Sequence, residues 1–206
     1  MDRDDKQACA ELIAAWGLYR DQGRWAELLA TFAPDGEIAV SWFRGPFRDF
    51  VERCRQAFAA GSRSKHLIWP STVRLNGDRA VAETSIAILV RQEIDGVLVD
   101  LTSYGRFLDR LERRERWMII ERAAIYEQDR LDPVEPSDAF DAMMKAADVA
   151  KFPAAYRYMA FRLLAAGRAL ALPVHCDGAA ETGELYARYN SWLGDPTDDL
   201  QSRQSG

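Results

Sequence analysis

From Ser64 onward the apolar residues of this chain change period from helical to strand-like, and the strands so marked are joined by very short turns. Lys65 to Leu75 reads as one strand. Asn76-Gly77-Asp78 reads as a hairpin turn whose residues tolerate positive φ. Arg79 to Glu93 reads as a long second strand. It carries Ala82, Thr84, Ile86, Ile88 and Val90 on one face and Val81, Glu83, Ser85, Ala87, Leu89 and Arg91 on the other. Asp95-Gly96 marks the next hairpin, Val97 to Arg110 a third strand and, past a short charged turn, Arg116 to Gln128 the last. Strands joined this tightly are antiparallel neighbours, so the segment predicts a four-stranded meander.

The residues before it read differently. Ala8, Leu12, Ile13, Ala15, Trp16 and Tyr19 place one apolar stripe on a helix over 4–21. Arg24 to Phe32 gives a short second helix, and Ala33-Pro34-Asp35-Gly36 a turn. Glu37 to Phe43 alternates as a strand, which Gly45-Pro46 breaks. Pro46 suits the first turn of a third helix, running to about Ala60, with Phe47, Phe50, Val51, Cys54 and Phe58 as its buried face. Three helices set against an antiparallel sheet define an α+β domain. After Asp129 the pattern changes again. Asp132-Pro133 and Glu135-Pro136 read as a linker. Helices are expected over 139–147, capped by Ser137, over 153–166 and over 181–193. The expected division is therefore a domain over 1–132 and a helical extension over 133–206, with a polar tail from about Gly194.

Composition narrows the class. Of 206 residues, 48% are hydrophobic and 29% charged, enough to build a sizeable core. A formal net charge of −5 argues against a nucleic-acid partner, which would favour a basic face. Cys9, Cys54 and Cys176 are too few and too scattered for a disulfide framework or a zinc site, and no metal ligand set is evident. The first residues lack the apolar core of a signal peptide, and no apolar run approaches the ~20 residues that span a bilayer. A cytoplasmic protein without a membrane partner is the expectation.

Four local patterns, in order, resemble the nuclear-transport-factor-2-like cone fold, and within it the SnoaL-like branch related to scytalone dehydratase. Tyr19-Arg20-Asp21-Gln22-Gly23-Arg24-Trp25 followed by Phe32-Ala33-Pro34-Asp35-Gly36 resembles the family's opening. His66 with Asn76-Gly77-Asp78-Arg79-Ala80 is similar to its histidine strand and hairpin. Gly105-Arg106-Phe107-Leu108-Asp109 with Trp117, and then Arg122 to Asp129, resemble its later strands. The resemblance implies a cone-like curved antiparallel sheet closed over by the three N-terminal helices. The helical extension is absent from small family members.

The resemblance also implies a site. In the family's dehydratases a His acts as general base, oriented by an Asp from the first helix; His66 and Asp21 match that pair. A carboxylate accepting the Nδ1–H fixes the imidazole tautomer and leaves Nε2 to take a proton. Tyr19, Tyr104 and Tyr126 are candidate donors to a substrate oxygen. Trp16, Trp42 and Trp69 are candidate apolar walls, or core residues, and Arg122 binds ligand or serves as a structural ion-pair partner. No second histidine stands near Ser103 to Gly105, where scytalone dehydratase has one, so the pattern suits a single base. Two readings stay open. One is a cofactor-independent lyase or isomerase acting on a small, mostly apolar carbonyl or hydroxyl compound. The other is a non-catalytic ligand-binding or subunit-assembly protein of the same fold. In either reading a homodimer through the outer face of the sheet is expected.

Overall fold

The computed structural model describes residues 2–194. Helices α1 (Asp2–Gln22) and α2 (Trp25–Leu29) lead into β1 (Phe32–Val40), β2 (Phe43–Pro46) and α3 (Phe47–Ala59). Strands β3 (Lys65–Ile68), β4 (Thr72–Asn76), β5 (Arg79–Ile94), β6 (Val97–Arg113) and β7 (Trp117–Pro133) follow. The chain then forms α4 (Asp138–Ala146), a 3₁₀ turn at Val149–Lys151, α5 (Arg157–Ala165), β8 (His175–Cys176) and α6 (Ala180–Leu193). This is the expected α+β cone: a curved, unclosed sheet with α1 and α3 against its inner face.

The expected hairpins are present. Asp95 and Gly96 have φ of 50° and 80°, the left-handed pair that a two-residue turn requires. Strands β5, β6 and β7 are each 16 or 17 residues long and antiparallel throughout. Register shifts at Tyr104/Gly105 and at Arg110/Leu111 bulge the β6–β7 ladder, and bulges of this kind bend and coil a sheet. The two faces of β5 divide as the alternation predicts. Ala82, Ile86 and Val90 join the main core inside the cone, and Val81 joins a separate cluster outside it.

Three expectations are corrected. The strand predicted over 65–75 is two strands, β3 and β4, which pair end to end along β5. Pro70 lies in the gap and has no N–H to donate to a ladder. The turn predicted at Ala33-Pro34-Asp35-Gly36 lies inside β1, where a register shift between Phe32 and Glu37 absorbs it. The sheet is also not wholly antiparallel: β1 and β8 both pair with β7 in parallel. Strand β1 can run that way because the whole of α3 and the meander separate it from β7 in the chain.

The extension is woven into the cone. Tyr156, Met159, Ala160 and Leu163 share the main core, while Leu185, Tyr189 and Leu193 of α6 cover Val81, Leu108, Ala123 and Ile125 on the outer face. Ser137 caps α4 as expected, its Oγ accepting from Phe140 N at 3.3 Å. The last turn of α6 leaves carbonyls without intrahelical partners. Asn76 Nδ2 donates to Leu193 O at 2.7 Å and Arg79 Nη1 to Trp192 O at 3.0 Å, so the β4–β5 hairpin holds that helix end. Bidentate Arg188–Glu121 hydrogen bonds at 2.6 and 2.8 Å pin its middle. The polar tail after Gly194 lies outside the described residues.

Candidate active site

Helix α1 buries Cys9, Ile13, Trp16, Gly17 and Asp21, a stripe at helical spacing that faces the sheet. At Gly17 the helix comes so close to β3 that an added Cβ would sit 2.7 Å from Ile68 Cγ1. One turn later, Asp21 meets His66. Asp21 Oδ1 lies 2.6 Å from His66 Nδ1, and Oδ2 accepts from the His66 backbone N–H, also at 2.6 Å. One carboxylate thus fixes both the ring and the strand that carries it. The two side chains are 2% and 8% exposed. Nδ1 beside a carboxylate carries the proton, and Nε2 has no hydrogen-bond partner among the described residues. Burial pulls the His66 proton affinity below the usual imidazole value, while the hydrogen bond and charge of Asp21 oppose that fall.

His66 lines a small cavity between α1, α3, the inner sheet face and α5. Trp16, Trp42, Phe50 and Phe107 form its aromatic walls, and Val40, Ile88 and Val90 add aliphatic surface. Trp16 stands edge-on to His66 with ring centroids 5.5 Å apart. Tyr126 is also on the wall. Its hydroxyl accepts from Ser41 N–H at 3.1 Å, so its own hydrogen remains available, and burial raises its pKa and keeps it a donor.

Of the residues singled out in the sequence, the structure therefore brings Trp16, Trp42, His66 and Tyr126 to one cavity, with Asp21 directly behind His66. The others lie elsewhere. Tyr104 is on the outer sheet face and 41% exposed, and Trp69 is 45% exposed in a shallow depression beside Leu18 and Leu67. Tyr19 is half-buried with the Arg24 guanidinium 4.6 Å from its ring centroid, away from the cavity wall. Arg122 does not line the cavity. It is fully buried and pairs with Asp109 through hydrogen bonds of 2.7 and 2.8 Å, cross-strand in the β6–β7 ladder. Its guanidinium lies 4.0 Å from the Phe107 centroid and 4.5 Å from Trp16, behind the wall that those rings present.

Sequence reasoning missed the cavity residues of the extension, namely Met159, Arg162 and Arg168. A signal was available. Arg162 falls among Tyr158, Met159, Ala160, Phe161, Leu163 and Leu164, and a cation in so apolar a helical run needs an explanation. Among the described residues no three His, Cys, Asp or Glu side chains are grouped to hold a metal ion, and no helix is long and apolar enough to cross a membrane.

A cone-shaped α+β domain with a carboxylate-bound histidine inside its cavity defines the class of this protein. The SnoaL-like domain matches residues 1–123, and the chain belongs to that family. A candidate scytalone dehydratase from Novosphingobium aromaticivorans is similar in structure, with a TM-score of 0.53 at 15% identity over 66% of this chain and 91% of that one. The β subunit of a candidate aromatic-ring-hydroxylating dioxygenase from the same organism has a TM-score of 0.51 at 20% identity, over 61% of this chain and 90% of that one. A Kribbella flavida protein gives 0.52 at 17% identity, over 69% and 99%. At these identities the likeness is one of fold. No curated protein matches the chain.

Proposed function

We propose that this protein is a lyase or isomerase that needs no cofactor, in which His66 removes a proton from a small carbonyl or hydroxyl compound. The observation that carries this reading is the Asp21–His66 contact at 2.6 Å beside an aromatic-walled cavity. With Nδ1–H committed to Asp21, Nε2 is the basic atom, and a depressed proton affinity keeps it unprotonated near neutral pH. Tyr126 is the donor for charge that develops on a substrate oxygen. Asp21 is a positioning residue: it holds the tautomer and stabilises the imidazolium once formed.

The test is deuterium exchange into a panel of small cyclic ketones, aryl ketones and aryl keto acids, followed by NMR in heavy water with the full chain. The wild-type protein is expected to accelerate exchange at the carbon next to the carbonyl. His66→Gln is expected to lose about 10²- to 10⁴-fold of that acceleration, the usual worth of a positioned base. Asp21→Asn is expected to lose a comparable part and, because the carboxylate also holds the β3 backbone, to lower the melting temperature. Exchange that persists in His66→Gln sinks the reading. Exchange absent with every ketone returns the protein to a ligand-binding role.

A further inference from the structure

The cavity wall is rich in hydrogen-bond donors. Arg162, supplied by α5, is 8% exposed, yet no carboxylate pairs with it among the described residues. Its Nη1 donates to Gln92 Oε1 at 2.8 Å, while its Nε is buried without a partner. Trp16 and Ser64 line the same cavity, and their Nε1 and Oγ atoms are likewise buried and unpartnered. Tyr126 has its hydroxyl hydrogen to give. Arg20 and Arg168 add two more guanidinium groups to the wall, and no Asp or Glu is on it. Burial, with the nearby Arg168 and Arg20 charges, brings Arg162 down to about 10. Buried cations and donors are normally paired, and several left waiting around one space call for an acceptor that carries negative charge.

We propose that the ligand of this cavity is a small organic acid whose carboxylate is bound by Arg162 and whose apolar body lies against Trp16, Trp42 and Phe107. The inference names the substrate class of the catalytic reading above and rests on that reading for turnover, though not for binding. Of the arginines on the wall only Arg162 is deeply buried, Arg20 and Arg168 keeping solvent contact, so one desolvated guanidinium faces the ligand and a monoanionic carboxylate balances it. Met159, Arg162 and Arg168 lie beyond the residues that the family shares, so the extension supplies the acid-binding end of the cavity.

The experiment is calorimetric titration of the full chain with benzoate, phenylacetate and phenylpyruvate, each beside its methyl ester, and with phenyl phosphate. At least one acid is expected to bind about 10- to 100-fold more tightly than its ester, the worth of a charge-assisted contact. Arg162→Gln is expected to erase that ratio and Arg162→Lys to restore part of it. Arg168→Gln, at a half-buried position, reads the same ratio if the Arg162→Gln protein does not fold. The proposal is overturned if acids and esters bind alike, if no acid binds by about 10 mM, if phenyl phosphate binds most tightly, or if the folded arginine variants keep the wild-type ratio. His66→Gln separates the two readings. Acid preference without His66-dependent exchange would end the catalytic reading alone, and exchange without acid preference would end this one alone.

Discussion

His66 holds its proton affinity between two opposing effects, and the balance makes a measurable prediction. Burial depresses it below 6.5, and Asp21 pulls it back up. The acid limb of kcat/KM is therefore expected below pH 6.5, with Asp21→Asn moving it lower still. The same depression links to folding. The unfolded chain binds the proton more readily than the folded one, so the stability that His66 contributes is present above about pH 6.5 and is lost as pH falls through the folded value. His66→Gln should flatten that part of a denaturation profile, and an unchanged profile would show that His66 titrates alike in both states. At this scale the Asp21–His66 pair was legible because a family pattern places both residues. Arg122 was ambiguous, since an arginine in a strand reads the same whether it faces a ligand or a carboxylate. Its partner Asp109 becomes evident only with the register of β6 on β7. Breaking such a buried pair from one side costs about 3–5 kcal/mol, because it leaves an uncompensated buried charge.

Among the elements, the approach of α1 to β3 sets the site. Gly17 permits it, since any larger residue meets Ile68 before Asp21 can reach His66. Gly17→Val is expected to cost about 1–3 kcal/mol from overpacking and also to slow proton exchange, read by thermal melting and by NMR. A variant with wild-type exchange would show that the helix can back away without disturbing the pair. Most elements were readable from the chain, because each hairpin and each apolar stripe is local. The parallel pairing of β1 with β7 was not readable, because nothing local encodes a contact between residues some 85 positions apart. Strand β3 was merged with β4 for a related reason: both pair with β5, and the one-residue slip at Pro70, which moves the inward side from His66 and Ile68 to Val73 and Leu75, shows only in the register.

The whole molecule uses its extension twice, once at the cavity through α5 and once on the outer sheet face through α6. Sequence reasoning set that face aside for a second copy of the chain; α6 covers the strip at Val81, Leu108, Ala123 and Ile125. A chain ending at Pro133 would present those four side chains to water, and it is expected to self-associate or aggregate in light scattering at concentrations where the full chain does not. A truncated chain that stays monomeric would mean that the strip needs no cover. Because Asn76 and Arg79 hold the end of α6 to the hairpin of its own sheet, the cover is tethered. Its effective concentration is set by the length of chain between β7 and α6 and does not change on dilution. The outer strip thus stays closed at any abundance the cell makes of the protein.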